Sequence, residues 1–62
     1  LAAPLKVLAP LLCAHVQASG HLLLAGILQR QVEEIQQAYL PYISLEVADT
    51  LDGWVLMHGC AT

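Results

Sequence analysis

The segment GHLLLAGIL, residues 20–28, decides the fold of this 62-residue chain. Its three consecutive leucines do not alternate with polar residues, which is typical of a strand that is covered on both faces. Leucine is not a strong strand former, so the shortness of the run and its flanking glycines carry this interpretation. We predict that a strand covers His21 to Leu24 and that Gly26 ends it with a sharp turn.

The segments on either side of this strand have helical spacing. Apolar residues recur in steps of three and four over residues 4–16, which predicts a helix with a kink or a restart at Pro10. Residues 29–40 have the same spacing, with glutamates and glutamines on the opposite side. Pro41 ends this second helix.

Two more strands follow the second helix. Residues 43–48 alternate between apolar and polar side chains, which predicts a half-covered strand. Asp52-Gly53 supplies the residues that a tight hairpin turn requires. The continuous apolar run from Trp54 to Met57 then predicts a strand with neighbours on both sides, and the indole of Trp54 is expected to be buried between sheet and helix.

The element order is therefore helix, strand, helix, strand, hairpin and strand, an α/β arrangement. A strand–helix–strand unit favours a parallel pair with a right-handed crossover. The last strand is more apolar than the one before it, so we place it between the other two and antiparallel to both. This leaves GHLLLAGIL with a bare edge, which an inner strand should not have. Residues 1–62 are accordingly interpreted as a single partial domain.

The composition limits the classes of protein that fit. Hydrophobic residues make up 58% of the chain and charged residues only 11%, and the mean hydropathy is +0.66. A domain of this size buries only roughly 60% of the surface that its unfolded chain exposes, so the chain is membrane-bound, oligomeric or part of a larger core. The net charge is −3, and Lys6 and Arg30 are the only permanent cations, which argues against direct nucleic-acid binding.

Two other classes stay open on the residues alone. No run reaches the roughly 20 apolar residues of a membrane-spanning helix, but the apolar first helix also fits a small secreted or membrane-active peptide. The bare strand edge fits a self-associating interaction module.

The cysteines and histidines do not predict a metal site. Cys13-Ala-His15 and His58-Gly-Cys60 look like two half-sites, but residues two apart on a helix point to nearly opposite sides. Zinc ligands are also spaced more widely than this. A disulfide between Cys13 and Cys60 is possible if the last strand ends near the first helix. No nucleophile and base are paired in the sequence, so no catalytic residue is predicted.

Three stretches, LAAPLKVLAPLL, SGHLLLAGILQRQVEEIQQAYLPY and DGWV, carry a resemblance to a known family. Their order and spacing resemble the carboxyl end of the ribosomal protein L11 methyltransferases, which belong to the class I S-adenosylmethionine-dependent methyltransferases. The resemblance covers essentially all 62 residues. It implies the carboxyl-terminal part of a Rossmann-like sheet, with the last strand antiparallel and inserted. Ala25 stands where the family usually has serine or threonine.

The resemblance also implies a function. A member of the family would transfer a methyl group from S-adenosylmethionine to amino groups of a ribosomal protein in the cytoplasm, without direct contact to nucleic acid or membrane. By resemblance, Leu1 and Ala2 flank the cofactor, whereas Ala25 and Gly26 are expected at the carboxyl end of a strand as a wall of the substrate pocket. The family's glycine-rich cofactor loop, ribose-binding acidic residue and target-recognition domain have no counterpart in the 62 residues, so this fragment alone is expected to be inactive.

Overall fold

A computed structural model describes residues 2–61 of the chain. Three short helices pack against one face of a three-stranded sheet, and this helix-covered side holds the hydrophobic core. We call it the helix face and the other side the open face. The elements, in chain order, are α1 (Ala2–Val7), α2 (Ala9–Ala14), β1 (His21–Leu28), a 3-10 turn (Gln29–Gln31), α3 (Val32–Tyr39), β2 (Leu45–Leu51) and β3 (Trp54–Cys60).

The strand order is β1-β3-β2, and β3 is antiparallel to both neighbours. This confirms the predicted position of the last strand in the middle. Because β1 and β2 both run against β3, they run in the same direction as each other, and α3 connects them. Within the described residues, β1 pairs only with β3 and its other edge is free.

The hairpin between β2 and β3 forms at Asp52-Gly53, as predicted. Both residues have positive φ, 51° for Asp52 and 81° for Gly53. Positive φ at both central positions characterises the type I′ turn, whose twist matches that of the flanking strands. Leu51 and Trp54 therefore face each other directly after the turn.

The first helix restarts earlier than the sequence predicted. The break lies at Leu8, between α1 and α2, so Pro10 becomes the second residue of α2. In the first turn of a helix the missing N–H of proline has no intrahelical partner to lose. The chain thus accommodates Pro10 by starting a new helix rather than by kinking an existing one.

The prediction for β1 was wrong in two respects. The strand does not stop at Gly26 but continues to Leu28, because Gly26 adopts φ +75° and forms a bulge within the strand. Nor is the strand covered on both faces, since Leu24 is buried while Leu23 is 62% exposed. An uninterrupted leucine run gives no periodicity from which the exposed side could be recognised.

The last strand also departs from the prediction, because its side chains alternate between the two faces. Val55 and Met57 are buried on the helix face, which places Trp54 on the open face with 53% of its surface exposed. The predicted burial of the Trp54 indole is therefore wrong.

The core is centred on Tyr39, the largest of the fully buried side chains. Its hydroxyl donates a hydrogen bond of 2.8 Å to the carbonyl oxygen of Leu5, which ties α3 to α1. Lys6 and Glu34 add a 2.8 Å ion pair between the same helices, but both side chains are exposed, so this pair contributes little stability. Among residues 2–61, no helix has both the length and the hydropathy of a membrane span.

Candidate functional site

Ala25 and Gly26, the predicted pocket residues, form a bulge in β1. Leu24 pairs with Met57 and Ile27 pairs with Val55, so two residues of β1 stand opposite Leu56 alone. Bulges bend a strand and redirect its neighbouring side chains, and they are frequent next to functional sites.

The strand on the other side of β3 is also irregular at this level. Val47 pairs with Met57 and Asp49 pairs with Leu56, which leaves Ala48 as an extra residue in β2. Both outer strands of the sheet therefore depart from regular pairing beside the same two residues of β3. We call these two irregularities the paired bulges.

An open pocket of about 210 Å³ lies at the paired bulges. Trp54, Leu51 and Leu56 bring apolar surface to it from the open face of the sheet, and Asp49 is the one residue with an ionisable side chain in its lining. Its lining residues are Ala25, Gly26, Asp49, Thr50, Leu51, Trp54, Val55 and Leu56. An exposed indole in a mostly apolar concavity is suited to holding a flat or aliphatic group.

The pocket lies towards the carboxyl ends of β1 and β2. The backbone N–H of Gln29 donates a 2.8 Å hydrogen bond to the carbonyl oxygen of Gly53, so the hairpin turn is fixed beside the end of β1. In open α/β sheets, ligands bind outside the carboxyl ends of the parallel strands. The pocket is therefore at the edge of the sheet where that rule places a site.

Gly26 is required for its backbone conformation rather than for space. A Cβ added at this position would meet no heavy atom within 4 Å. However, the backbone of Gly26 has φ +75°, a conformation that residues other than glycine adopt only with strain. The residue thus shapes the bulge and leaves one side of the pocket without a side chain.

The predicted cofactor residues lie elsewhere in the chain. Ala2 is the first residue of α1, and with 7% of its surface exposed it packs in the core. Leu1 lies outside the described residues. The interpretation of Leu1 and Ala2 as cofactor neighbours stays a prediction, as does the assignment of Ala25 and Gly26 to a substrate pocket.

The other reactive side chains do not form a catalytic group among the described residues. Burial raises the pKa of the Cys13 thiol. Burial, and secondarily the neighbouring Cys13, raises the pKa of the Tyr39 phenol. Cys13 and Cys60 are both free thiols, so the disulfide considered above does not form. Within residues 2–61, no three histidine, cysteine, aspartate or glutamate side chains are grouped as metal ligands would be.

Several lining residues were not anticipated from the sequence. Leu51 and Trp54 flank the Asp52-Gly53 turn, and a two-residue hairpin turn brings its flanking residues into direct pairing. That signal was present in the sequence. No signal in the sequence indicated that both side chains would be exposed on the open face, because their exposure depends on which face of β3 the helices cover.

Comparison with known proteins identifies the family. The family model described as ribosomal protein L11 methyltransferase (PrmA) matches residues 1–62. The chain belongs to this family. It is 63% identical over 57 residues to the ribosomal protein L11 methyltransferase of Polaromonas sp. strain JS666, an alignment covering 92% of the chain and 19% of that relative. It is 49% identical over 59 residues to the enzymes of the same name from Bordetella parapertussis and Dechloromonas aromatica, covering 95% of the chain and 19% and 20% of these relatives.

The family resemblance in the sequence is thereby confirmed. The chain spans about a fifth of the length of the curated relatives that it matches. No solved structure matches the chain.

Proposed function

We propose that this chain is the carboxyl-terminal part of an enzyme that transfers methyl groups from S-adenosylmethionine to amino groups of ribosomal protein L11. The relatives are named for methylation of that protein, and the chain aligns with them over most of its length. Methyl transfer to a neutral amine requires in-line positioning more than acid–base groups. The absence of a nucleophile–base pair among the described residues is compatible with this chemistry.

The proposed role of the segment is to form the far side of a Rossmann-like sheet. Its free β1 edge would pair with a strand outside the 62 residues, because an unpaired edge next to an apolar face such as that of Leu23 is a liability in an isolated sheet. Target recognition would come from another part of the enzyme. We place the enzyme in the cytoplasm, with the ribosomal protein as its partner and no direct contact to nucleic acid or membrane.

The observation that carries the proposal is the pocket at the paired bulges. Its position at the carboxyl ends of β1 and β2 and its apolar lining fit one wall of a site for methyl transfer. The bound cofactor would supply a methyl group on a sulfonium centre. Ala25 and Gly26 would line the substrate pocket, and Trp54 would exclude water from it. Leu1 and Ala2 would lie on the side of the site that holds the cofactor.

The 62 residues could contact only part of a bound S-adenosylmethionine molecule. The pocket is shallow, and Gly26 leaves it open on one side with no heavy atom within 4 Å of an added Cβ. A ligand of this size is normally buried over most of its surface. We therefore propose that the 62 residues alone neither bind S-adenosylmethionine tightly nor catalyse the reaction.

Calorimetric titration of the 62-residue chain with S-adenosylmethionine tests this point. We expect no heat of binding at S-adenosylmethionine concentrations up to about 1 mM. A dissociation constant of about 1 mM corresponds to a binding free energy of only about 4 kcal/mol. Saturable binding in the micromolar range would show that these residues contain the cofactor site and that its placement here is wrong.

The pocket is tested by blocking it in an active enzyme. We define the exchange enzyme as the Polaromonas relative in which the 57 matching residues are replaced by those of this chain. Ala25→Leu places a larger side chain in the pocket and should lower kcat/KM for methylation by at least about tenfold, or about 1.4 kcal/mol. Ala14→Leu, the same change at an exposed position of α2, is the control and should leave kcat/KM within about twofold. If the two substitutions change kcat/KM equally, the pocket has no role in methyl transfer.

One observation favours an alternative function, self-association of the chain. The free edge of β1, next to the exposed Leu23, would also allow the isolated segment to self-associate. Sedimentation of the 62-residue chain distinguishes a discrete dimer from a monomer.

A further inference from the structure

Two histidines meet on the open face, at the end of the sheet away from the pocket. His21 is the first residue of β1, and His58 lies near the end of β3. The distance between Nδ1 of His21 and Nε2 of His58 is 2.8 Å. These residues are 37 positions apart in the sequence, and no local pattern indicates that they meet.

The two ring nitrogens point at each other. The ring planes are within 22° of parallel, and the ring centroids are 5.0 Å apart. This separation is nearly the nitrogen–nitrogen gap plus the two ring radii, so both nitrogens lie close to the line between the centroids. The rings therefore meet edge to edge, and one nitrogen donates its proton to the other.

The register of β1 and β3 produces this contact. His21 stands directly opposite Cys60, and Leu23 stands opposite His58, so the two histidines are diagonal neighbours on the same face. Diagonal neighbours on one face of an antiparallel pair are within reach of long and aromatic side chains.

Two further side chains of ligand type lie near the pair in the strand register, although no third histidine, cysteine, aspartate or glutamate of residues 2–61 is grouped with it as a metal ligand would be. Cys60 lies opposite His21, and Glu46 lies opposite His58 on β2. An open pocket of about 270 Å³ beside them is lined by Ser44, Glu46, His58, Gly59 and Cys60. Cys60 and Glu46 are both exposed.

The charge around the pair favours a cation. Glu46 is the charged side chain that faces it, and the chain carries a net charge of −3. Lys6 is paired with Glu34 between the helices, and Arg30 follows the opposite end of β1. No permanent cation therefore lies beside the two imidazoles.

We propose that His21 and His58 form the core of a binding site for a divalent transition-metal ion of the zinc class. Imidazole nitrogens are preferred ligands of zinc, and thiolate and carboxylate groups complete many of its sites. Two nitrogens bound to a tetrahedral zinc ion are about 3.3 Å apart, so the pair must open by about 0.5 Å. Both rings must also turn, because their facing nitrogens point at each other and not at a common ion position. The ring that donates the hydrogen bond changes tautomer, so that its proton moves to the nitrogen that faces away from the other ring. Both facing nitrogens are then free to bind the ion, and neither imidazole has to lose a proton. Solvent fills the remaining positions.

Competition between the 62-residue chain and a chromophoric chelator for Zn²⁺ tests the proposal. We expect one ion per chain, and His21→Gln and His58→Gln should each weaken the affinity by at least about tenfold. His15→Gln is the matched control, because His15 is exposed directly after α2 and its ring is hydrogen-bonded to the carbonyl oxygen of Leu11, away from the histidine pair. Its affinity for Zn²⁺ should remain within about twofold of that of the unchanged chain.

Three outcomes would overturn the proposal. They are the absence of stoichiometric Zn²⁺ binding, unchanged affinity in both the His21 and His58 variants, and an equal loss in the His15 variant. The last result would indicate nonspecific binding, since an unfolded chain does not distinguish among its three histidines. Circular dichroism of each variant reports whether the fold is retained. The outcome is independent of methyltransferase activity, so the metal site and the proposed function can fail separately.

Discussion

Replacing Tyr39 with alanine is expected to destabilise the chain more than any other substitution proposed for it. Tyr39 is fully buried, and its hydroxyl holds the carbonyl oxygen of Leu5 at 2.8 Å. Removing a large buried aromatic side chain costs about 3–5 kcal/mol. A domain of 62 residues has a total stability of only about 3–9 kcal/mol, so the loss removes from about a third to all of it. Urea denaturation followed by circular dichroism measures the effect.

Tyr42 provides a matched control for this substitution. It lies three positions further along the chain with 50% of its surface exposed, so Tyr42→Ala should change the free energy of unfolding by no more than about 0.5 kcal/mol. Tyr39→Phe keeps the ring and removes only the hydrogen bond, with an expected cost of about 1 kcal/mol. If Tyr39→Ala and Tyr42→Ala are equally stable, the core is not centred on Tyr39.

Replacing Gly59 with valine should be the second most damaging change. Gly59 lies on the helix face of β3 and pairs with Leu22 and Leu45 on its two sides. A Cβ at this position would be 2.9 Å from Cγ1 of Ile43 and 2.9 Å from the carbonyl oxygen of Ser44. The isoleucine side chain can adjust, but the backbone oxygen cannot without disturbing the start of β2. Overpacking of this kind costs about 1–3 kcal/mol.

This result would run against strand propensity, since valine favours strands and glycine weakens them. Ala48→Val is the control because Ala48 is exposed at the bulge in β2 and its change in unfolding free energy should stay within about 0.5 kcal/mol. Thermal or urea unfolding of both variants provides the comparison. A stabilised Gly59→Val variant would show that the close approach of Ile43 and Ser44 to β3 is absent in solution.

The topology was predictable because local signals agreed with one another. The Asp52-Gly53 turn fixed the β2–β3 hairpin, and Pro41 marked the end of the second helix. The higher apolar content of the last strand then placed it in the middle. These signals are short-range in the sequence, so a single chain is enough to recognise them.

The faces of the sheet were not predictable in the same way. Leu23 and Leu24 are chemically identical neighbours, yet one is exposed and the other buried. Which of them faces the helices depends on the pairing register with β3, and a shift of one residue reverses the two faces. The same dependence explains why the exposure of Trp54 was missed.

The candidate site was predicted only in part. Ala25 and Gly26 were predicted as a wall of the substrate pocket from their place after the leucine run. They line the pocket at the paired bulges, and their contact with a substrate stays a prediction. The bulge that shapes this pocket was not foreseen, because a glycine that ends a strand and one that bulges it look alike in sequence. The contact between His21 and His58 was missed for a related reason, since it depends on the long-range register of β1 and β3.

We propose that these 62 residues form the distal sheet and one pocket wall of an L11 methyltransferase. The most direct test is the rate at which the exchange enzyme transfers labelled methyl groups from S-adenosylmethionine to ribosomal protein L11. We expect kcat/KM within about tenfold of that of the unmodified Polaromonas enzyme, a difference of at most about 1.4 kcal/mol. A folded exchange enzyme without methyl transfer would contradict the proposal.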